Sequence, residues 1–236
     1  YDRALKEVWF GPFTEAAGIK VVTVVATDSE QRTRAQAMAN AGKVTWDIIN
    51  NVDIIAESAQ NRGFSRDLTE FCKDFDARKD LAEKTCNPAG VKISFNATLM
   101  AFNAERFKNG RPGSWADFWN VSRFPGPRAL PSFNDPWRVL AAALLADGVP
   151  ADKLFPLDVD RALKKLDEIK PQIQLWWRTG DQSQQGFRNA EYVMGMIWGT
   201  RAAALKAEKQ PVEVSYNGAF LLADTMQILR DGPNST

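Results

Sequence analysis

The chain has 236 residues, 44% of them hydrophobic and 25% charged, a composition typical of a soluble globular protein. Its 30 basic and 29 acidic residues give a formal net charge of +1, and no basic block provides the footprint of a nucleic-acid-binding protein. No apolar run approaches the roughly 20 residues of a membrane-spanning helix. Histidine is absent, which removes the commonest general base and the commonest zinc ligand.

The first part of the chain alternates between predicted helices and strands. Apolar spacing predicts a helix over residues 1–17, and a β-rich apolar run predicts a buried strand over residues 19–26. Asp28 or Ser29 can cap the next helix, which precedes a short strand at residues 46–49 and a further helix. This order predicts a mostly parallel sheet with right-handed crossovers.

Residues 64–90 form a polar, charged segment that we expect to be irregular, and it contains both cysteines, Cys72 and Cys86. Two unrelated thiols are one interpretation. We favour a disulfide, because a cysteine pair within such a loop is typical of a protein from an oxidising compartment.

The remainder of the chain continues the mixed α/β pattern. Residues 91–103 form an extended run longer than a typical strand, so we expect it to pass from one sheet into another. Ser114 can cap a short aromatic helix, and Asp135 begins an Ala- and Leu-rich helix. Further strands are predicted at residues 129–133, 172–177, 192–197, 212–215 and 219–223, and helices at residues 159–169, 181–188 and 200–207.

The stretch from Trp176 to Asp224 combines side chains that suit a small charged ligand. It contains Trp177, Trp198 and Arg201, and Asp224 follows an apolar run. Tryptophan has few rotamers and a large polarisable face, so it holds a ligand at small entropic cost. A buried arginine beside a buried aspartate is costly unless a partner satisfies both, and a small zwitterion can do so.

Several motifs in the second half of the chain resemble a known family. They are SWADFW at Ser114–Trp119, FPG at Phe124–Gly126, the Trp176-Trp177 pair, MGMIW at Met194–Trp198, and Asn217–Asp224. The chain resembles the solute-binding proteins of ABC importers in the polyamine (putrescine/spermidine) family, and within it the branch that binds 4-aminobutyrate.

This resemblance implies an α/β fold of the type II periplasmic-binding-protein class, with two lobes, crossing hinge strands and a ligand cleft between the lobes. We expect residues 1–98 to begin the first lobe, residues 99–217 to form the second, and residues 218–236 to return to the first. Family members usually begin with an earlier strand and continue further, so we expect the chain to be truncated at both ends.

The resemblance also implies the residues that bind the ligand. In polyamine binders a tryptophan and an aspartate three residues later hold one ammonium group. Here the tryptophan corresponds to Trp198, but Arg201 stands at the aspartate position. The acid near the end of the return strand corresponds to Asp224. The acid at the start of the second-lobe helix corresponds to Arg138, and Asp135 to a neighbouring acid.

The exchange of an anion for Arg201 changes the expected ligand. A guanidinium repels a diamine but holds a carboxylate by two parallel hydrogen bonds, while Asp224 can take an ammonium group. We therefore expect a ligand with a carboxylate at one end and an amine at the other. Trp198 would pack on the methylene chain and attract the amine.

Other site candidates have structural alternatives. Trp177 and Gln184 lie where the family lines its cleft. Asn51 and Asp53 follow a predicted strand, where α/β sites open, but they can equally cap the following helix. Among the residues implied by the resemblance, Arg201 can be a solvated helix residue, Asp224 a helix N-cap and Trp198 a core residue.

The sequence thus predicts a monomeric periplasmic solute-binding protein that captures 4-aminobutyrate or a similar ω-amino acid and delivers it to an ABC permease. It predicts no catalysis, cofactor, metal or nucleic-acid partner. Diamine binding is the nearest alternative. A carboxylate-dependent glycoside hydrolase using Asp181 and Glu191, and a domain with a vestigial cleft, are the alternatives from other classes.

Overall fold

The structure is a computed structural model that describes residues 5–76, 85–108, 110–132 and 136–235. The chain divides into two compact units, one formed by residues 1–91 and 225–236 and the other by Lys92–Asp224. The divisions predicted from the sequence fall after residues 98 and 217.

The first unit contains short helices and the ends of long strands. A π-helical turn at Lys6–Phe10 leads into α1 (Gly11–Ala17), followed by α2 (Asp28–Asn40), β1 (Ile48–Val52), α3 (Asp53–Ala56), α4 (Ala59–Phe64), α5 (Thr69–Asp76), β2 (Cys86–Asn87) and the start of β3 (Gly90–Asn103). The predicted cap of α2 is wrong, because Thr27 holds that position and forms a reciprocal capping box with Glu30. The segment 64–90 is also not irregular throughout, since it contains α5.

The predicted buried strand at residues 19–26 is wrong. These residues form no strand, and Val22 and Val25 are 78% and 83% exposed. A strand exists only through pairing, and within the described residues no ladder includes this run. The βαβα start is therefore not realised, and the sheet as a whole is mixed rather than mostly parallel.

The predicted disulfide is confirmed. Cys72 on α5 and Cys86 on β2 are bonded, with their Cα atoms 5.4 Å apart. Both cysteines are buried and pack with Leu68 in a small apolar cluster. The bond therefore ties α5 to the short strand that precedes β3.

The second unit is a sheet covered by helices. Its elements after β3 are α6 (Trp115–Trp119), β4 (Arg128–Pro131), α7 (Trp137–Ala146), α8 (Val159–Ile169), β5 (Ile173–Trp177), α9 (Gly180–Arg188), β6 (Met194–Trp198), α10 (Gly199–Ala207) and β7 (Val212–Ile228). The strand order is β7-β3-β6-β4-β5. β3 runs antiparallel to β6, whereas β6, β4 and β5 are parallel.

Two strands predicted at the end of the chain are one. β7 runs without interruption from Val212 to Ile228, so Asn217-Gly218 is not a turn between strands. Gly218 instead adopts a φ of +70°, which glycine takes without strain. A Cβ atom there would lie 2.9 Å from the Trp115 ring, whose Nε1 donates a hydrogen bond to the Gly218 carbonyl. The glycine thus lets the indole of α6 approach the strand.

A fully buried arginine organises the loop before β4. The Arg128 guanidinium donates hydrogen bonds to the carbonyl oxygens of Phe118, Phe124 and Gly126. Burial lowers the pKa of Arg128 to about 10, which still leaves the group charged at neutral pH. The three carbonyl acceptors therefore fix the Phe-Pro-Gly loop to the start of β4.

Candidate functional site

Trp198 lies at the carboxyl end of β6, where parallel α/β strands commonly place ligand-binding groups. Its ring is partly exposed and packs edge-on against Trp177, with ring centroids 5.5 Å apart. Trp177 is fully buried, and its Nε1 donates to the Met196 carbonyl at 3.1 Å. The structure therefore places Trp177 behind Trp198, as a support for its ring.

Arg201 is on the first turn of α10 and is partly buried. Its Nη1 lies 2.8 Å from Asp181 Oδ1 and donates to Gln184 Oε1 at 3.3 Å. A Cβ atom on Gly180 would lie 2.7 Å from Arg201 Nε and 2.8 Å from the Trp198 ring. The absence of a side chain at position 180 therefore lets the guanidinium and the indole pack at the start of α9.

The start of α10 provides a second attraction for an anion. Trp198 occupies the N-cap position, and its side chain accepts no hydrogen bond from the first turn. The first-turn N–H groups of a helix carry partial positive charge. Together with the guanidinium of Arg201, they make the end of β6 suitable for a carboxylate.

Asp224 lies within β7, so it is not a helix N-cap. Its Oδ2 accepts hydrogen bonds from Ser94 Oγ at 2.7 Å and from Asn96 Nδ2. Both donors are on β3, the neighbouring strand. The carboxylate is thus held across two adjacent strands of the second unit.

Trp198 and the Asp224 partners share one face of the sheet. Trp198 is paired directly with Thr98 of β3, so their side chains lie on the same face. Side chains two residues apart on a strand also share a face, which adds Asn96 and Ser94. Asn96 is about 7 Å along the strand from Thr98 at about 3.3 Å per residue. The sheet therefore brings an aromatic ring and a carboxylate to the same surface.

Gln184 is buried and joins Arg201 to a peripheral ion pair. Its Oε1 accepts from Arg201, and its Nε2 donates to Glu208 Oε1 at 3.1 Å. Glu208 in turn accepts from Arg188 Nε at 2.7 Å, and this bond, followed by the charge of Arg188, lowers the pKa of the Glu208 carboxyl. Gln184 therefore lies in this polar network, and its contact with ligand stays a prediction.

One further predicted second-unit residue, Arg138, lies at the start of α7. Arg138 is buried on its first turn, with its guanidinium 4.8 Å from the Trp137 ring centroid. Asp135 lies outside the described residues. Ligand contact by either residue stays a prediction.

Asn51 and Asp53 belong to the first unit. Asn51 is within β1 rather than after it, and its buried Nδ2 donates to Gln227 Oε1 at 3.2 Å. Asp53 is in the first turn of α3, and its Oδ1 accepts from the Ile54 backbone N–H at 2.9 Å. Val52 occupies the N-cap position of α3, so Asn51 does not cap that helix, and Asp53 accepts its bond within the first turn. Ligand contact by Asn51 or Asp53 stays a prediction.

The residues proposed for a glycosidase lack the required environment. Asp181 has an 81% exposed side chain paired with Arg201, and Glu191 is exposed and accepts from Asn189. A carboxyl that acts as general acid needs apolar enclosure, which neither residue has. Within the described part of the chain, no three acidic or cysteine side chains converge on a possible metal position.

Three residues beside the predicted site residues, Gly180, Ser94 and Asn96, were not predicted from the sequence. A signal for the last two was present, because Ser94, Asn96 and Thr98 alternate with Ile93, Phe95 and Ala97 along an otherwise apolar strand. Such a period of two places all three polar side chains on one face. Gly180 had no comparable signal, because its importance depends on packing between α9 and α10.

Sequence comparison identifies a family and two characterised relatives. Residues 9–236 match the family described as bacterial extracellular solute-binding protein. The chain is 31% identical to the gamma-aminobutyric acid-binding protein of Pseudomonas aeruginosa, over 98% of this chain and 65% of that protein. It is 25% identical to spermidine/putrescine-binding periplasmic protein 1 of Haemophilus influenzae, over 94% of this chain and 62% of that protein. The chain thus spans less than two thirds of the length of each relative.

Solved structures agree in fold. The periplasmic binding protein AttC of Agrobacterium tumefaciens C58, in an open unliganded conformation, is 52% identical with a TM-score of 0.74, over all of this chain and 72% of that one. The Atu4243-GABA receptor is 34% identical with a TM-score of 0.86, over 99% of this chain and 70% of that one. The predicted α/β fold of periplasmic binding proteins is therefore confirmed. In the described residues, no helix has the length and apolar character to span a bilayer.

Proposed function

The chain belongs to the bacterial extracellular solute-binding proteins, and we propose that it captures 4-aminobutyrate or a similar ω-amino acid. In this proposal it acts as a monomer in the periplasm and delivers the ligand to the permease of an ABC importer. The family and its structural neighbours are substrate-binding transport proteins. The proposal is therefore one of binding without catalysis.

The observation that carries the proposal is the cation beside Trp198. Arg201 lies in the first turn of α10, next to the indole and within reach of a carboxylate, as its 2.8 Å contact with Asp181 illustrates. An ω-amino acid would offer such a carboxylate and form the same charge-assisted hydrogen bonds. A diamine would instead bring an ammonium group towards a guanidinium.

Asp224 supplies the opposite charge in the proposal. It lies on β7, and its hydrogen-bonding partners Ser94 and Asn96 are on the same face of β3 as Thr98, which pairs with Trp198. We assign it the ligand's ammonium group, with Trp198 against the methylene chain. Trp177 would act through Trp198, because its ring supports the exposed indole.

The ligands named for similar proteins support an ω-amino acid and leave a polyamine as the alternative. A GABA-binding protein and a GABA receptor are 31% and 34% identical to this chain. A spermidine/putrescine-binding relative, at 25% identity, makes a polyamine the second candidate. The charge of Arg201 is the feature that favours the amino acid.

The test is calorimetric titration of two variants with 4-aminobutyrate. Removing one partner of a buried charge pair costs about 2–4 kcal/mol, so Arg201→Gln and Asp224→Asn should each raise Kd by roughly 30- to 1,000-fold. Arg161→Gln is the matched control, because Arg161 pairs with Asp147 at 2.6 Å outside the proposed site. Unchanged affinity in Arg201→Gln, or an equal loss in Arg161→Gln, would contradict the proposal.

A further inference from the structure

We propose that Ser94 and Asn96 are specificity-determining residues that orient the Asp224 carboxylate towards a ligand ammonium group. This inference rests on the proposed function, in which Asp224 receives the amine end of an ω-amino acid. It adds Ser94 and Asn96 to that site as positioning residues, which act by orienting Asp224.

The contacts define the orientation of the carboxylate. Ser94 Oγ donates to Asp224 Oδ2 at 2.7 Å, Asn96 Nδ2 donates to the same oxygen, and Asn96 Nδ2 is also 3.4 Å from Ser94 Oγ. Two donors from one strand face that converge on one oxygen restrict rotation of the carboxylate about its terminal bond. The three side chains therefore form one partly buried, hydrogen-bonded group.

The chemical character of the donors suits recognition of a cation. A serine hydroxyl and a carboxamide are neutral, so they orient the carboxylate without cancelling its charge. A fixed carboxylate accepts directional N–H bonds from a primary ammonium group, and pre-orientation reduces the entropy lost on binding.

The position of the group on the strand supports the same role. Thr98, Asn96 and Ser94 follow one another on a single face of β3, and Thr98 pairs with Trp198. Ser94 and Asn96, which donate to Asp224, therefore lie on the same face of the sheet as the Trp198 indole.

The experiment compares Ser94→Ala, Asn96→Ala and the double variant by titration with 4-aminobutyrate and with butyrate, which lacks the amine. The double variant should bind 4-aminobutyrate about tenfold more weakly, as expected for losing hydrogen bonds to a charged group. Its affinity for butyrate should stay within about twofold of the unsubstituted protein, because butyrate makes no contact that depends on Asp224. Ser215→Ala is the matched control, since Ser215 on β7 donates to the Gly113 carbonyl instead.

The outcomes separate this inference from the proposed function. The proposed function stands if the unsubstituted protein binds 4-aminobutyrate and Asp224→Asn weakens that binding. In that case the orienting role is wrong if the double variant keeps the original ratio of the affinities for 4-aminobutyrate and butyrate. An equal loss for both ligands would reveal a general structural role and also overturn the inference. If the unsubstituted protein does not bind 4-aminobutyrate, the function and the inference both fail.

Discussion

Removing the ion pair between Arg201 and Asp181 should strengthen ligand binding rather than weaken it. Asp181 Oδ1 lies 2.8 Å from Arg201 Nη1, so this carboxylate competes with the ligand carboxylate for the Arg201 guanidinium. Asp181→Asn removes that competing charge and keeps the shape of the side chain. We therefore expect the variant to bind 4-aminobutyrate more tightly.

The structure limits the size of this effect. The Asp181 side chain is 81% exposed and that of Arg201 29% exposed, so water screens much of their attraction. Two unit charges about 4 Å apart attract by about 1 kcal/mol in water, and exposed pairs contribute about 0.2–1 kcal/mol. Kd should therefore fall roughly 1.4- to fivefold, with a smaller change at about 1 M salt.

The assay is calorimetric titration at low and high salt, with Asp160→Asn as the matched control. Asp160 is the acid in the first turn of α8, as Asp181 is in the first turn of α9, so both substitutions remove the same helix-dipole interaction. Only Asp181→Asn should tighten binding. Weaker or unchanged binding, or equal tightening in Asp160→Asn, would refute the competition between Asp181 and the ligand.

Three further predictions concern packing, the disulfide and pH. Gly180→Ala adds a methyl group 2.7 Å from the Arg201 guanidinium and should displace it. Calorimetric titration should therefore show about tenfold weaker binding of 4-aminobutyrate, and unchanged affinity would contradict the close packing. The double variant Cys72→Ala/Cys86→Ala should have a free energy of unfolding in urea about 3 kcal/mol lower, because the disulfide closes a loop with a separation of 14 residues. Thiol titration of the unfolded, unreduced protein should find no free thiol. The lowered pKa of Glu208 contributes stability above the ordinary carboxyl pKa, and this is lost as pH falls through the lowered value. Glu208→Gln should therefore make the free energy of unfolding in urea less dependent on pH below about 4.5, the ordinary pKa of this carboxyl. An unchanged dependence would exclude this contribution.

Elements defined by local pattern were predicted well. The extended run at residues 91–103 matches β3, and the helices over residues 159–169 and 181–188 match α8 and α9 within one residue. The disulfide also followed from two cysteines in one loop. In each case the deciding information was in neighbouring residues, so the sequence alone was sufficient.

Elements that depend on distant partners were predicted poorly. Residues 19–26 have the same β-rich character as β3, but a strand also needs a partner, and the described residues provide none for this run. Similarly, residues 212–228 contain an Asn-Gly pair that favours a turn, yet Gly218 adopts a positive φ within a continuous strand because Trp115 packs against it. Tertiary contacts decided both cases.

In the candidate site, too, only part could be predicted from the sequence. A family resemblance pointed to Trp198, Arg201 and Asp224. The burial of Trp177 beside an exposed Trp176 depends on which face of β5 packs against the core. The burial of Asn51 in a hydrogen bond with Gln227 joins residues 176 positions apart. Such pairing is a property of the folded chain and has no local signature.

The measurement that most directly tests the proposed function is calorimetric titration of the purified protein with 4-aminobutyrate and, separately, with putrescine. Both ligands contain a four-carbon chain with an ammonium group at one end, and they differ in the charge of the end that would meet Arg201. We predict saturable 1:1 binding of 4-aminobutyrate and no binding of putrescine. Binding of putrescine without 4-aminobutyrate would contradict the carboxylate role of Arg201 and favour the polyamine alternative.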